Sequence, residues 1–335
     1  MKKMPIKMMF MSVLMLSTMI TMTANSWLAV WMGLEINLLS FIPLISQQKN
    51  INDKLSSIKY FIIQSISSIT LLTSFIILMM NSINKNNEML EMLMMMSLLM
   101  KMGAAPLHFW FPEVMEFLSW DNCILLMTWQ KLAPMTAISY IKMNQNLIMI
   151  FILSSAIIGA IMGLNQISLR MILSYSSINH ISWMLSSIQI NMMTWVYYMI
   201  VYSILTTLMA WLFKSHNMNL INDLFMYNNN NKIHKLNMMM AMLSLGGMPP
   251  LVGFLPKWIL IQEMINNLMI TTTFILIMSS TVTLYFYMKL FMSAGLMYFK
   301  ENKWTKLHSM KKMETLSLYL NLISMMGMLL SPVFV

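Results

Sequence analysis

One interrupted apolar segment, Lys101-Met-Gly-Ala-Ala-Pro-Leu-His-Phe-Trp-Phe-Pro112, carries a lysine, a histidine and two prolines in a stretch otherwise suited to a lipid bilayer. Proline removes a backbone donor and breaks the helical hydrogen-bond ladder, so we predict a discontinuous helix here. At membrane depth such breaks occur only where they are buried in protein or line a wet cavity. A second segment, Leu245-Gly-Gly-Met-Pro-Pro-Leu-Val-Gly-Phe-Leu-Pro-Lys-Trp258, has the same features. Paired interrupted segments indicate a transporter site built from an inverted repeat.

The composition defines the broad class of the protein. The 335 residues are 58% hydrophobic and only 10% charged, with a mean hydropathy of +0.67. A soluble domain would carry about 25% charged residues, so this is a polytopic membrane protein. A single cysteine, Cys123, excludes a disulfide framework and a thiolate metal site. The five histidines are scattered, which argues against a cytochrome b-like redox subunit with paired axial ligands.

The residue usage also indicates a compartment. The 48 methionines and the run from Asn228 to Asn231 are typical of an A/T-rich gene read with a code in which ATA encodes methionine, as in animal mitochondria. The N-terminal Met1-Lys-Lys-Met-Pro enters an apolar span without a small-residue cleavage site. We therefore expect a chain made inside the organelle and inserted into the mitochondrial inner membrane.

Hydropathy predicts about eleven transmembrane helices, because a spanning helix needs about 20 apolar residues. The predicted spans are 5–22, 26–45, 57–80, 91–116, 122–141, 147–163, 168–187, 193–213, 235–265, 269–297 and 313–333. The fourth and ninth contain the breaks. This all-α pattern predicts two inverted five-helix repeats, residues 1–141 and 142–298, followed by a basic inside loop and a last span in 299–335.

The distribution of positive charge agrees with this count of spans. Numbering the loops alternately places fifteen of the 21 lysines and arginines on the side of the N-terminus and only Lys85 and Lys142 on the other. Such a bias predicts an N-terminus in the matrix and a C-terminus in the intermembrane space. It also explains the net charge of +10 as a topology signal, so no nucleic-acid partner is expected.

Four buried charges are the candidates for chemistry. Glu35 is the only one of eleven acidic residues predicted in the middle of a span, where insertion costs about 2.5–3.5 kcal/mol and function is the default explanation. Lys101, Lys131 and Lys257 lie within spans four, five and nine. Lysine can release and regain a proton there, whereas arginine stays charged. The alternatives are a structural ion pair for Glu35 and snorkelling for the lysines, which is most credible for Lys257.

Two histidines complete the predicted proton path. His108 follows Lys101 by seven residues, about 10.5 Å if helical, which suits a relay better than direct contact. His180 lies in span seven beside Ser174-Tyr-Ser-Ser177, where the hydroxyls could hold water or could pack helices closely. Each histidine could equally be a satisfied polar contact without a role in transport.

Four motifs carry a family resemblance. They are Leu34-Glu35, Lys101-Met-Gly-Ala-Ala-Pro-Leu-His-Phe-Trp110, Trp129-Gln-Lys-Leu-Ala-Pro134 and Gly246-Gly-Met-Pro-Pro-Leu-Val-Gly-Phe-Leu-Pro-Lys-Trp258. Together they resemble the antiporter-like membrane subunits of mitochondrial NADH–ubiquinone oxidoreductase (respiratory complex I), in the shortened form found in animals. The resemblance covers essentially the whole chain. Two positions depart from the family pattern: Met171 replaces a usual lysine, and Ser182 replaces a common glycine. The first casts doubt on a proton-carrying role at position 171.

The resemblance implies a proton-translocating subunit of an NADH:ubiquinone reductase, with its proton path along Glu35, Lys101, Lys131 and Lys257. It implies no redox centre in this chain, because NADH, FMN, the iron–sulfur clusters and ubiquinone belong to other subunits. The implied partners are the other membrane-arm subunits, including sister antiporter-like subunits, and the lipid bilayer, which leaves room for bound phospholipid. The alternatives are a free-standing cation/proton antiporter and a structural spacer of the membrane arm.

Overall fold

The computed structural model describes residues 3–46, 51–80, 88–141, 145–226 and 232–296. In chain order the helices are α1 (Lys3–Met22), α2 (Trp27–Ser46), α3 (Ile51–Met80), α4 (Glu88–Met102), α5 (Trp110–Phe117), α6 (Trp120–Met127), α7 (Trp129–Ser139), α8 (Gln145–Gly163), α9 (Leu169–Ile190), α10 (Met192–Ser215), α11 (Ile221–Met226), α12 (Lys232–Gly246), α13 (Leu255–Asn266) and α14 (Ile270–Leu296), with a 3-10 turn at Val252–Phe254. Apart from an isolated bridge between Ser168 and Leu220, these ranges contain no β-structure.

Six of the described helices are long and apolar enough to cross a membrane: α1, α2, α3, α8, α10 and α14. Each of the first ten predicted spans coincides with a helix or an interrupted helix. The all-helical membrane class is therefore confirmed, while the total of eleven spans stays a prediction. The predicted span 313–333 and the basic loop before it lie outside the described residues.

The described chain divides into two compact units after Ser155. This division falls inside α8, fourteen residues beyond the predicted repeat boundary at 141, and the repeat boundary itself stays a prediction. The first unit contains α1 to α7. The second contains α9 to α14.

Small residues allow α1 and α2 to pack closely in the first unit. α2 buries an i, i+3, i+4 stripe through Val30, Leu34 and Phe41, the pattern of a helix with one packed face. A Cβ at Gly33 would collide with the methyl group of Thr21 on α1. Because lipid offers no hydrophobic drive between helices, such close approach of small residues supplies much of the packing energy.

Helix α9 is buried around most of its circumference in the second unit. Six of its serines are buried, and each donates to the carbonyl three residues earlier; they are Ser174, Ser176, Ser177, Ser182, Ser186 and Ser187. The hydroxyls are thus bonded within the helix, and Ser176 and Ser177 also contact the hydroxyls of Tyr287 and Tyr202 on neighbouring helices. Small, internally bonded side chains favour close helix packing over a water-holding face.

Candidate functional site

The first interrupted helix ends in a Schellman motif at Gly103. Its backbone has φ of +74°, a left-handed conformation that glycine adopts without steric cost. The N–H of Gly103 donates to the Met100 carbonyl (3.2 Å), and the N–H of Ala104 donates to the Leu99 carbonyl (3.1 Å). This pair of bonds closes the C-terminus of α4. Lys101 therefore lies in the last turn of a half-helix.

Side chains from elsewhere in the first unit satisfy the carbonyls that this break frees. Gln64 on α3 donates to the Lys101 carbonyl (3.0 Å), and the indole of Trp110 donates to the Met100 carbonyl (3.0 Å). Ser154 donates to the Ala105 carbonyl (2.7 Å). Buried backbone groups without partners would be costly in a membrane. These bonds stabilise the non-helical segment, because the carbonyls of Met100, Lys101 and Ala105 all have hydrogen-bond donors.

His108 lies in this non-helical connection between α4 and α5. The helical separation of 10.5 Å that its spacing from Lys101 suggested does not apply, because Gly103 ends the helix first. The imidazole is buried, its Nδ1 lies 3.2 Å from the Pro106 carbonyl, and the ring stacks against Phe109 at 4.5 Å. The position of the imidazole ring is therefore set by the non-helical segment between α4 and α5 and not by helical spacing.

Lys101 and Lys131 line one cavity of the first unit. The cavity has a volume of about 20 Å³, measured as the space open to the centre of a water molecule, and about 10–15 Å³ is enough for one water. The side chains of Asn37, Gln64 and Gln130 add polar groups to its wall. The lysines are 7% and 1% exposed. Two buried amines thus share a cavity that has a partly polar wall and room for one water.

Glu35 on α2 acts on Lys101 from a distance. Its carboxylate interacts electrostatically with the Lys101 ammonium, but the two described side chains do not approach within the 4.0 Å of a direct ion pair. Its Oε1 is buried and has no hydrogen-bond partner among the described residues. At 4 Å and an effective dielectric constant of 20 two charges interact by about 4 kcal/mol, and less when farther apart. The carboxylate can bias Lys101 without being neutralised by it.

A second, unpredicted break precedes Lys131. The predicted span 122–141 is divided into α6 and α7 at Thr128, whose hydroxyl bonds back to the Ile124 carbonyl at 2.7 Å. Pro134, inside α7, lacks the N–H that would bond to the Gln130 carbonyl, which loosens the first turn of this helix. Lys131 therefore occupies the start of a short helix and not the middle of a continuous one.

Several side chains that the sequence did not single out position Lys131. The amides of Asn37 and Gln130 bond reciprocally, at 2.9 and 3.0 Å. The indole of Trp129 donates to the Thr18 hydroxyl at 3.1 Å. The Lys131 ammonium lies 5.6 Å from the centre of the Phe111 ring, within cation–π range.

The second unit repeats the Schellman ending at Gly247, where φ is +81°. The N–H of Gly247 donates to the Ser244 carbonyl (3.1 Å), and that of Met248 to the Leu243 carbonyl (3.3 Å). Lys257, in the first turn of α13, reaches back across the break, and its Nζ donates to the Gly246 carbonyl at 3.1 Å. The side chain is 5% exposed, so it is held inside the unit and does not snorkel.

His180 lies in a buried tyrosine cluster of the second unit. Its Nδ1 is 2.8 Å from the Tyr198 hydroxyl, and its ring packs against Tyr202 at 4.9 Å. A cavity of about 10 Å³ lies against these three rings and extends to Gly253 and Pro256. His180 is therefore joined by one small cavity to the segment that carries Lys257.

The two departures from the family pattern both lie on α9. Met171 is in its first turn, where its N–H bonds to the Ser168 side chain at 3.4 Å. Ser182 is fully buried.

Outside the predicted spans, the loop around α11 contains a well-defined anion. One oxygen of Asp223 accepts the backbone N–H groups of Asn219 (2.8 Å) and Leu220 (2.9 Å). These two bonds hold the pKa of the Asp223 carboxyl below its usual value, since hydrogen bonds to a carboxylate stabilise its charged form. The ionised side chain thus fixes the turn that begins α11.

The fold defines an all-helical membrane subunit with two broken helices, and comparison with known proteins identifies its family. The chain belongs to the NADH:quinone oxidoreductase/Mrp antiporter transmembrane family, whose model matches residues 24–284. It is 43% identical to NADH-ubiquinone oxidoreductase chain 2 of Locusta migratoria over 98% of this chain and 96% of that one. It is 39% identical to the protein of the same name from Bos taurus, over 93% of each chain. The resemblance noted in the sequence is thus confirmed.

Solved structures share the fold at lower identity. A chain of respiratory complex I from Thermus thermophilus superposes with a TM-score of 0.82 at 20% identity, over 98% of this chain and 79% of that one. A chain of the Mrp complex from Dietzia sp. gives a TM-score of 0.78 at 13% identity, over 94% and 73% of the two chains. The helical arrangement therefore recurs in both kinds of complex.

Proposed function

We propose that this chain is a membrane-arm subunit of a proton-translocating NADH:ubiquinone oxidoreductase in the mitochondrial inner membrane. The identity of 43% to a chain named for that complex, over nearly the full length of both, supports this assignment over a free-standing cation/proton antiporter. The neighbours would be other membrane-arm subunits, with the redox chemistry carried elsewhere in the complex.

The observation that carries the proposal is the shared cavity of Lys101 and Lys131. Burying two amines is costly, since an ionisable group at membrane depth costs about 2.5–3.5 kcal/mol. No described carboxylate lies within ion-pair distance of Lys101 to offset this cost, so a structural role alone does not explain it. A partly polar cavity with room for about one water would allow a proton to pass between them. We assign Glu35 the role of biasing where the proton resides.

The remaining predicted residues extend this path. His108 would exchange protons near the first break, and His180 and Lys257 would serve the second unit. The chain would cross the membrane eleven times, in two inverted five-helix repeats, with its N-terminus in the matrix. The positive-charge bias of the loops supports this orientation.

The test uses assembled complex in sealed vesicles from a tractable relative carrying Lys101→Met. We expect normal assembly, with NADH oxidation and proton uptake both depressed. The matched control is Lys289→Met, because Lys289 lies on the exposed side of α14 and should leave both rates unchanged. Full activity and full proton uptake in Lys101→Met would refute the role of this lysine and favour a structural spacer.

A further inference from the structure

The end of α12 shows how a buried ammonium is held at a broken helix. The Lys257 Nζ donates to the Gly246 carbonyl, one of the last carbonyls of α12. The C-terminus of a helix carries roughly half a negative charge, which favours a cation there. The ammonium of α13 therefore closes the end of α12 across the break.

Gly247 is the residue that leaves room for this contact. A Cβ built on Gly247 would lie 2.9 Å from the Lys257 Nζ and 3.3 Å from its Cδ and Cε. Real Cβ atoms essentially never approach another heavy atom within 3.0 Å. The end of the lysine side chain therefore occupies the space that a Cβ would fill, and because this end is flexible, a side chain at position 247 would displace the ammonium and not the backbone.

The adjacent glycine differs in this respect. A Cβ on Gly246 would meet nothing nearer than 3.6 Å, against Tyr287, which is an ordinary van der Waals contact. Gly246 also lies within α12 and has no positive φ. An alanine at Gly246 therefore serves as a control for the general effect of a larger residue, against which the effect of a Cβ beside Lys257 can be compared.

We propose that Gly247 is a positioning residue for Lys257, because its missing side chain allows the ammonium to bind the Gly246 carbonyl at the end of α12. This inference rests on the proposed function only for its effect on proton transport. The contact itself is a property of the fold and can be tested separately.

The experiment compares Gly247→Ala, Gly247→Asn and the control Gly246→Ala in assembled complex from a relative with the same residues. One hydrogen bond inside a membrane protein corresponds to roughly a 3- to 18-fold effect, so we expect coupled proton uptake to fall by that factor in both Gly247 variants. Asparagine tolerates a positive φ. Near-normal uptake in Gly247→Asn would show that backbone strain, and not the contact with Lys257, causes the loss, and would overturn the inference.

Two further measurements separate this inference from the proposed function. In a Lys257→Ala background, Gly247→Asn, whose residue tolerates the positive φ, should cause no additional loss, because residues that act through one contact are not additive; an undiminished loss would overturn the inference. A structure of the Gly247→Ala complex should show the Lys257 Nζ displaced from the Gly246 carbonyl. If it stays within 3.5 Å, the inference fails whatever the transport rates.

The outcome remains decisive if the Gly247 variants block assembly; the variant to follow is then Gly247→Asn, whose residue tolerates the positive φ. Shortening the lysine in the Lys257→Ala double variant removes the atoms that the new Cβ would meet, so assembly should recover. Failure to recover would attribute the defect to the backbone and overturn the inference. If Lys257→Ala alone leaves transport unchanged, the role of Lys257 in the proposed function fails, while the structural measurement still decides the position of the ammonium.

Discussion

The reciprocal amide pair of Asn37 and Gln130 offers a quantitative test of how the cavity is built. The pair joins α2 to the first turn of α7 through two hydrogen bonds of 2.9 and 3.0 Å. We consider Asn37→Leu, Gln130→Met and the double variant. Each single change removes both bonds and leaves one amide without its partner.

The magnitude follows from this geometry. Side-chain hydrogen bonds between membrane helices average about 0.6 kcal/mol each, so the two bonds contribute about 1.2 kcal/mol. An orphaned buried amide adds up to about 1–3 kcal/mol, at the lower end here because the neighbouring cavity can supply a water. We expect each single variant to lose about 2 kcal/mol of unfolding free energy, and the double variant to lose no more than a single one.

The assay is a double-mutant cycle on the detergent-solubilised chain, unfolded reversibly with SDS. A coupling energy of about 1 kcal/mol or more between Asn37 and Gln130 is expected. The control cycle pairs Asn37→Leu with Asn122→Leu. Asn122 does not line this cavity and donates to the Leu44 carbonyl, two helical turns along α2 from Asn37, so these two changes should add within about 0.5 kcal/mol. Additivity in the Asn37 and Gln130 cycle would refute the reasoning.

Three other predictions concern separate parts of the chain. The lowered pKa of Asp223 means that its contribution to stability is present above the unfolded pKa of 3.8 and is lost as pH falls through the lower folded pKa. The loop amides of Asp223→Asn should therefore exchange hydrogen faster than those of the wild type at pH 6, and the two exchange rates should converge at acid pH. Gly253→Ala should lower the free energy of unfolding by about 1–3 kcal/mol or more, because its Cβ would overlap the Ser244 carbonyl oxygen. Native gels should then show less assembled complex. Phe111→Leu removes a cation–π contact with Lys131 worth about 0.5–2 kcal/mol, so coupled proton uptake in vesicles should fall, by at most about 30-fold. An undiminished rate would refute a role of this contact in proton transport.

The breaks in the two interrupted helices could be predicted because their chemistry is local. Gly103 and Gly247 supply the positive φ of a Schellman ending, and the prolines that follow prevent each helix from continuing. The buried amines were predictable for a similar reason, since a lysine in an apolar span carries a known cost whatever surrounds it. Composition alone also identified the membrane class.

The division of span five at Thr128 was missed. Its cause is a weak local signal, a threonine that bonds to its own helix and a proline four residues after Gln130. Hydropathy does not register such a change, because both halves remain apolar. Attention to Pro134 inside a short predicted helix could have found it.

What the sequence determined by itself was the class, the breaks and the residue types that could carry protons, since each follows from neighbours along the chain. The tertiary structure alone decided which of them meet. Asn37 and Gln130 are 93 residues apart, and nothing in either sequence context names its partner. The hydrogen bond from Lys257 to the Gly246 carbonyl likewise depends on how α13 packs beside α12. Such contacts depend on packing between helices, which a one-dimensional pattern of apolar and polar residues does not specify.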